Sequence, residues 1–239
     1  MPKRPAVYLF AICQCYHLTR FLTSAIIEAN LKRFYTEKEI DMAKNLQNRT
    51  RVHNLILLAV FTALVVVLSF IKIPLGPFSV TLTLPVIVIG GALCGVWAGA
   101  WLGAAFSIMV FVTGDAAAFL AINIPATILV VMVKGTAAGL AAAFVYRLLQ
   151  KNNKITLATL AAAITAPIVN TGIFSIGCLC FFMETIKSWG LGSGYTSGIA
   201  YLFLGMIGLN FVVELAVNFV LSPMIIRLID LVVKKKISR

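Results

Sequence analysis

Charge is what this chain has least of. Of its 239 residues only 12 % are charged, 8 are acidic and 2 are histidine. A soluble domain carries about a quarter charged residues, so a water-facing surface cannot be assembled from this composition and the bilayer must be its solvent. Catalytic signatures are missing as well. There is no H-E-x-x-H, no G-x-S-x-G and no Walker lysine motif, and a hydrolase working within the membrane would need a paired nucleophile and base at depth. Without an ATP-binding motif the chain cannot drive uphill work by ATP hydrolysis; it needs an ion gradient or a partner. The five cysteines, Cys13, Cys15, Cys94, Cys178 and Cys180, have no metal-ligand spacing. The two C-x-C pairs place their thiols on different helix faces, so they read as small apolar fillers. No metal, no cofactor and no enzymatic activity are expected.

What is present is apolar: 61 % of the residues, with a mean hydropathy of +0.99. The net charge of +12 reads as the basic excess of cytoplasmic loops rather than as a nucleic-acid surface.

Residues 1–41 differ from the rest, holding 6 of the 20 bases and 4 of the 8 acids, and their longest apolar stretch, Ala6 to Cys13, is far too short to span a membrane. No small-x-small cleavage site follows it, which argues against a signal peptide. Lys38-Glu39 can be encoded by AAGGAG, a ribosome-binding sequence, two codons ahead of Met42. The expected division is therefore an N-terminal extension, 1–41, outside the native protein, and a membrane domain, 42–239. A short amphipathic surface helix around Phe21 to Phe34 is the alternative.

Apolar blocks run from Leu55 to Ile71, Val80 to Val112, Ala116 to Leu149, Ile155 to Met183 and Ile199 to Val233. The second is too long for one ordinary span and slightly short for two. Basic clusters decide the count: Arg49 and Arg51 precede the first block, Arg147, Lys151 and Lys154 follow the third, and Arg227, Lys234, Lys235, Lys236 and Arg239 close the chain. All three share a side only if the second block crosses twice, turning near Gly95. The expected fold class is an all-α integral membrane protein with six transmembrane helices and cytoplasmic N- and C-termini. Its outer loops are Lys72 to Ser79, rich in proline, and Ser188 to Ser197, rich in glycine.

Two charges fall deep in the lipid: Lys134 mid-way along the fourth span and Glu214 mid-way along the sixth. A lone charge there costs at least about 2.5 kcal/mol, so they either pair with each other or reach a polar ligand. Asn210, Glu214 and Asn218 form an i, i+4, i+8 stripe, Asn170 and Thr171 sit near the middle of the fifth span, and Asn123 precedes Pro125 where it either caps the fourth span or faces the ligand. The candidate binding residues are Asn123, Lys134, Asn170, Asn210 and Glu214. Small residues recur at Gly91, Gly95, Gly99 and Gly103 and as A-x-x-x-A at Ala59 and Ala63, which lets backbones approach closely.

These features resemble the substrate-binding S component of energy-coupling factor (ECF) vitamin transporters. The resemblance runs from Met42 to the C-terminus. It rests on the six short spans, the A-x-x-x-A of Ala59 and Ala63, the Pro/Gly first outer loop, Asn123-Ile124-Pro125 leading to Lys134-Gly135 and Gly139, P-I-V-N-T-G-I-F from Pro167 to Phe174, and N-F-V-V-E-L from Asn210 to Leu215. The last two stretches resemble the pantothenate-type branch most.

The resemblance implies a multi-pass protein of a bacterial cell membrane. Such a protein captures a water-soluble vitamin from outside and delivers it through a transmembrane coupling subunit and two ATPase subunits. Ala59 and Ala63 then match the docking motif for the coupling subunit, and Lys72 to Ser79 the lid. For pantothenate, Lys134 would meet the carboxylate while Asn170, Asn210 and Glu214 meet hydroxyls and amide. Pyridoxine, hydroxymethylpyrimidine, riboflavin or folate fit the same role, an aromatic ligand stacking on Trp189 or Tyr195. The rival is a stand-alone proton-coupled carrier using Lys134 and Glu214, against which the halves show no inverted repeat.

Overall fold

The computed structural model of the chain describes residues 32–33, 38, 51–75, 78–150 and 155–237. The expected boundary at residue 41 and the start at Met42 lie outside the described residues. Two compact units are distinguished, Met1–His53 and Asn54–Arg239; apart from the first three residues of the first helix, everything discussed below belongs to the second.

Helix α1 covers Arg51–Phe70. A two-stranded antiparallel hairpin follows, β1 (Lys72–Leu75) and β2 (Phe78–Thr81), in the register Lys72↔Thr81 to Leu75↔Phe78. The stretch expected as a plain proline-rich loop is thus partly strand: Ile73, Phe78, Val80 and Thr81 are residue types enriched in strands, and Pro74 is tolerated because a two-stranded ribbon has only edges.

Next come α2 (Thr83–Cys94) and α3 (Val96–Val112), separated at Gly95, whose φ of 105° and ψ of 177° suit glycine alone. The chain doubles back there, bringing Gly91 against Gly99. The 12-residue α2 is about 18 Å long against a hydrocarbon core of about 30 Å, as the length of the second apolar block requires. Gly95 is therefore the hinge of a helical hairpin rather than a member of a continuous glycine ridge.

The third block divides into a short helix, α4 (Ala117–Leu120), and the long α5 (Ile124–Gln150). Pro125 lies in the first turn of α5, where its missing N–H costs nothing. Helix α6 (Ile155–Phe181) carries Pro167 internally. The first half of the expected second outer loop, 188–192, is the end of a helix, α7 (Met183–Gly192), and the non-helical link is confined to 193–197. After α8 (Gly198–Ala200) the chain winds as a π-helix over Tyr201–Gly208 and continues as α9 (Leu209–Ile237).

Among the described residues four helical stretches are long and apolar enough to cross a membrane: Arg51–Phe70, Ile124–Gln150, Ile155–Phe181 and Gly198–Ser222. Helices α2 and α3 are shorter and equally apolar.

Helix α5 is central, packed along α3 on one side and α6 on the other, while α9 closes against α6 and α2. Small side chains set these distances. Ala138, Ala142 and Ala143 of α5 and Ala158, Ala162, Ala163 and Ala166 of α6 are all buried. On the α3 side Gly99 meets Gly139 and Gly103 meets Gly135, and the Ser107 hydroxyl donates to the Val131 carbonyl at 2.8 Å. The three pairs run in opposite directions along the two helices and mark an antiparallel seam in which, at the two glycine pairs, no side chain separates the backbones. Large apolar side chains point outward, among them Trp97, Phe144, Leu204 and Val220, as a lipid-facing surface requires.

Candidate functional site

A lysine and a glutamate from the middle of two apolar helices line one cavity. Lys134 enters it from α5, Asn170 and Thr171 from α6, and Asn210 and Glu214 from α9. The helical period accounts for the convergence. Thr127, Val130, Val131 and Lys134 lie on one stripe of α5, and Asn210 and Glu214 are one turn apart on α9. The glycine seam holds Lys134 in place, because its neighbour Gly135 is locked against α3.

Glu214 is 5 % exposed and Asn170 6 %, so their polar atoms answer to each other and to whatever enters the cavity. The Asn170 side chain hydrogen-bonds the Glu214 carboxylate. Even so, Oε2 of Glu214, Oδ1 of Asn170 and Oδ1 of Asn210 have no hydrogen-bond partner. Lys134 faces the charge of Glu214 most strongly and that of Asp115 as well, and its Nζ stands 4.8 Å from the centroid of the Phe174 ring, within cation–π range.

Asn123 is the exception among the five candidates. It does not line the cavity; its Oδ1 accepts the Ala126 N–H at 3.2 Å, capping α5, while the Thr127 hydroxyl donates to its carbonyl at 2.7 Å. Asn218, one turn beyond Glu214 on α9, bonds within its own helix, its Nδ2 donating to the Glu214 carbonyl at 2.9 Å.

Several cavity residues were not anticipated. Asp115 enters from the turn after α3, its Oδ2 accepting the Thr113 hydroxyl at 3.1 Å. An aromatic wall completes the site: Phe106, Phe119, Phe174 and Phe182. Phe119 is its hinge, meeting Phe174, Phe182 and Trp189 edge-on at centroid distances of 5.6, 5.0 and 5.7 Å. Trp189 therefore buttresses Phe119 from α7 instead of lining the cavity, and Tyr195 packs on Tyr201 at 5.3 Å. Phe174 closes the P-I-V-N-T-G-I-F stretch, and it is the one member of the wall that a sequence signal marked.

Ala59 and Ala63 lie elsewhere. Both are exposed on α1, in a shallow apolar groove with Leu55, Leu58, Thr62, Val66, Val67 and Trp101. The Trp101 indole, 57 % exposed, donates to the Thr62 hydroxyl at 3.3 Å and forms one bank of the groove.

Comparison with known proteins gives the arrangement a family. Residues 53–226 match the family described as "ECF transporter, substrate-specific component". No curated protein matches the chain. A solved structure of ThiT from Listeria monocytogenes superposes with a TM-score of 0.52 at 20 % identity, over 74 % of this chain and 98 % of that one, a likeness of fold. The chain belongs to the ECF transporter substrate-specific component family: multi-pass membrane proteins that bind a vitamin substrate and work with a membrane-embedded ECF module.

Proposed function

Taking that membership as premise, we propose that the cavity of Lys134, Asn170, Asn210 and Glu214 captures a water-soluble vitamin from outside a bacterial cell. The chain then passes it inward through an ATP-driven module of one transmembrane coupling subunit and two ATPase subunits. The observation that carries this reading is the convergence of four polar side chains from three helices on one cavity in a bundle whose core is mostly apolar. Polar and charged side chains within an apolar bundle are costly to bury, and a site that binds a polar ligand accounts for gathering four of them at one cavity.

Six crossings with both termini cytoplasmic complete the reading: α1, α2, α3, α5, α6 and the stretch from Gly198 through α9. This orientation leaves Arg147 and Arg227 on one side, in accord with the positive-inside rule. The groove at Ala59 and Ala63 is where the coupling subunit would seat, since its floor is methyl groups and its setting is exposed. The hairpin Lys72–Leu75 and Phe78–Thr81 would cover the cavity as a lid.

Pantothenate is the ligand that the Pro167 to Phe174 and Asn210 to Leu215 stretches suggest, its carboxylate on Lys134. Two carboxylates already face that lysine, and this observation favours the other reading, an aromatic nitrogenous vitamin against the phenylalanine wall. Reconstitution tests the function itself. Liposomes carrying the chain with the coupling subunit and both ATPases should accumulate the bound vitamin only when ATP is supplied. Accumulation by the chain alone, driven by a proton gradient, would replace this reading with that of a secondary carrier.

A further inference from the structure

The eight residues ahead of α9, Tyr201–Gly208, wind as a π-helix, a geometry that is rare and recurs at functional sites. Met206 and Ile207 of this segment line the cavity together with Asn210 and Glu214 of α9. Leu202, fully buried, packs in the same apolar cluster as Phe119, Phe182, Met206 and Ile207. The wide turn is what lets both halves present one face. At about 100° per residue, an uninterrupted α-helix would hold the buried Ile207, Glu214, Asn218 and Ile225 within about 40° of one another and leave Leu202 about 140° from their mean direction. One additional residue in the turn closes about 100° of that gap. Two glycines permit the turn. A Cβ on Gly208 would run into the carbonyl of Phe203, five residues back, and one on Gly205 would lie 2.8 Å from the Tyr201 ring. Tyr201 is held in turn from α7, where a Cβ on Gly190 would lie 2.9 Å from its own, and by the Tyr195 ring at 5.3 Å.

Resting on the reading of this cavity as the vitamin site, we propose that Tyr201–Gly208 is a conformational switch in the cavity wall. Wound as a π-helix, it keeps Leu202 packed with Phe119 and Phe182 and the wall closed. Rewound as an α-helix of the same length, it turns Leu202 about 100° off that face, and the two phenylalanines lose part of their backing. The half that turns is the short one, 198–203. Turning α9 instead would carry the buried Glu214, Asn218 and Ser222 toward lipid, where a carboxylate and two polar side chains are costly. A ligand seated against Met206, Ile207 and Asn210 favours the wound form that places them, and so holds the wall closed; release goes with the rewinding.

The test removes the extra residue. Leu204 is exposed and lines neither the cavity nor the α1 groove, and its deletion leaves an ordinary α-helix with Leu202 still on the buried face. In the whole chain in detergent, Gly208→Ala alone should force the rewinding, lower the unfolding midpoint and weaken ligand binding about tenfold or more. Combined with the deletion, the same substitution should cost nothing, because Phe203 then stands four residues back, as in any α-helix, and alanine is the best helix former. The binding probe is whichever of pantothenate, pyridoxine, hydroxymethylpyrimidine, riboflavin and folate most raises the midpoint of the parent. The deletion variant should bind it within about threefold of the parent. In liposomes with the coupling subunit and both ATPases the same variant should lose most of its uptake, since its wall no longer opens. If Gly208→Ala is as harmful with the deletion as without it, the damage is one of packing and the switch is overturned. Normal uptake by the deletion variant overturns it too, and leaves vitamin capture standing. If none of the five probes binds, the vitamin reading falls, and rescue of the unfolding midpoint alone decides the switch.

Discussion

Gly103 of α3 and Gly135 of α5 are in backbone contact: a Cβ on Gly103 would run into the Gly135 carbonyl, and one on Gly135 would lie 2.7 Å from the Gly103 carbonyl oxygen. This contact matters beyond packing, since Lys134 immediately precedes Gly135 and its reach into the cavity depends on how closely α5 lies on α3. Gly103→Val should therefore separate the two helices. The expected cost is about 1–3 kcal/mol of stability, together with weakened ligand binding. Gly172→Ala is the control, because a Cβ there meets nothing within 4 Å and α6 should gain slightly from the loss of a helical glycine. Thermal unfolding of the two variants in detergent checks the pair; a Gly103→Val protein as stable as the parent would show that the seam tolerates opening.

Asn123 was a candidate ligand residue by position, yet its Oδ1 accepts the Ala126 N–H. A cap of this kind contributes about 1 kcal/mol. Asn123→Ala should lower stability by that amount, seen as a lower unfolding midpoint, with little effect on affinity, whereas Asn170→Ala should lose affinity. Calorimetric titration distinguishes them, and a binding loss for Asn123→Ala as large as for Asn170→Ala would return Asn123 to the site.

Much of this was legible in the sequence, for specific reasons. The cost of a charge in lipid singled out Lys134 and Glu214, and the same cost brings them to one cavity with Asn170 and Asn210. Matching the basic clusters across the second apolar block required a turn near Gly95, and the break stands at that residue. The aromatic wall could not be read in this way. With 16 phenylalanines in an apolar chain, hydrophobicity does not say which of them face lipid and which a cavity; only the packing of α4 against α6 and α7 brings Phe119 to Phe174 and Phe182. Asp115 was hidden for a different reason. It sits at the end of α3, where an exposed polar residue is ordinary, and only the fold of the turn directs it to Lys134. The strand hairpin escaped because two prolines in eight residues read as turn chemistry.

Lys134 and Glu214 form a charge system that should be measurable as such. Removing one member of a buried pair leaves the other uncompensated, at a cost of about 3–5 kcal/mol. Lys134 is only half-buried, so the lower end is expected for Lys134→Met. Adding Glu214→Gln to that background should recover about 1 kcal/mol or more, since the residual negative charge is then removed. A double-mutant cycle on unfolding midpoints reads this coupling directly. Strict additivity of the two losses would mean that each residue is satisfied independently.

Ala59 and Ala63 give the cleanest separation of capture from delivery. Their groove lies on α1 and shares no lining residue with the cavity. The two methyl groups are exposed, so a larger side chain at either position has room to point outward. Ala59→Trp should therefore change stability by less than about 0.5 kcal/mol and leave vitamin affinity as it was. A partner that seats on the groove, however, would meet an indole where it needs a methyl-lined floor, and small-residue interfaces in membranes depend on close backbone approach. Uptake into liposomes containing the complete coupling module should then fall by an order of magnitude or more, with co-purification of the coupling subunit lost in parallel. Normal uptake by Ala59→Trp would move the docking surface off this face of α1, and lost vitamin binding by the same variant would tie the groove to the cavity instead.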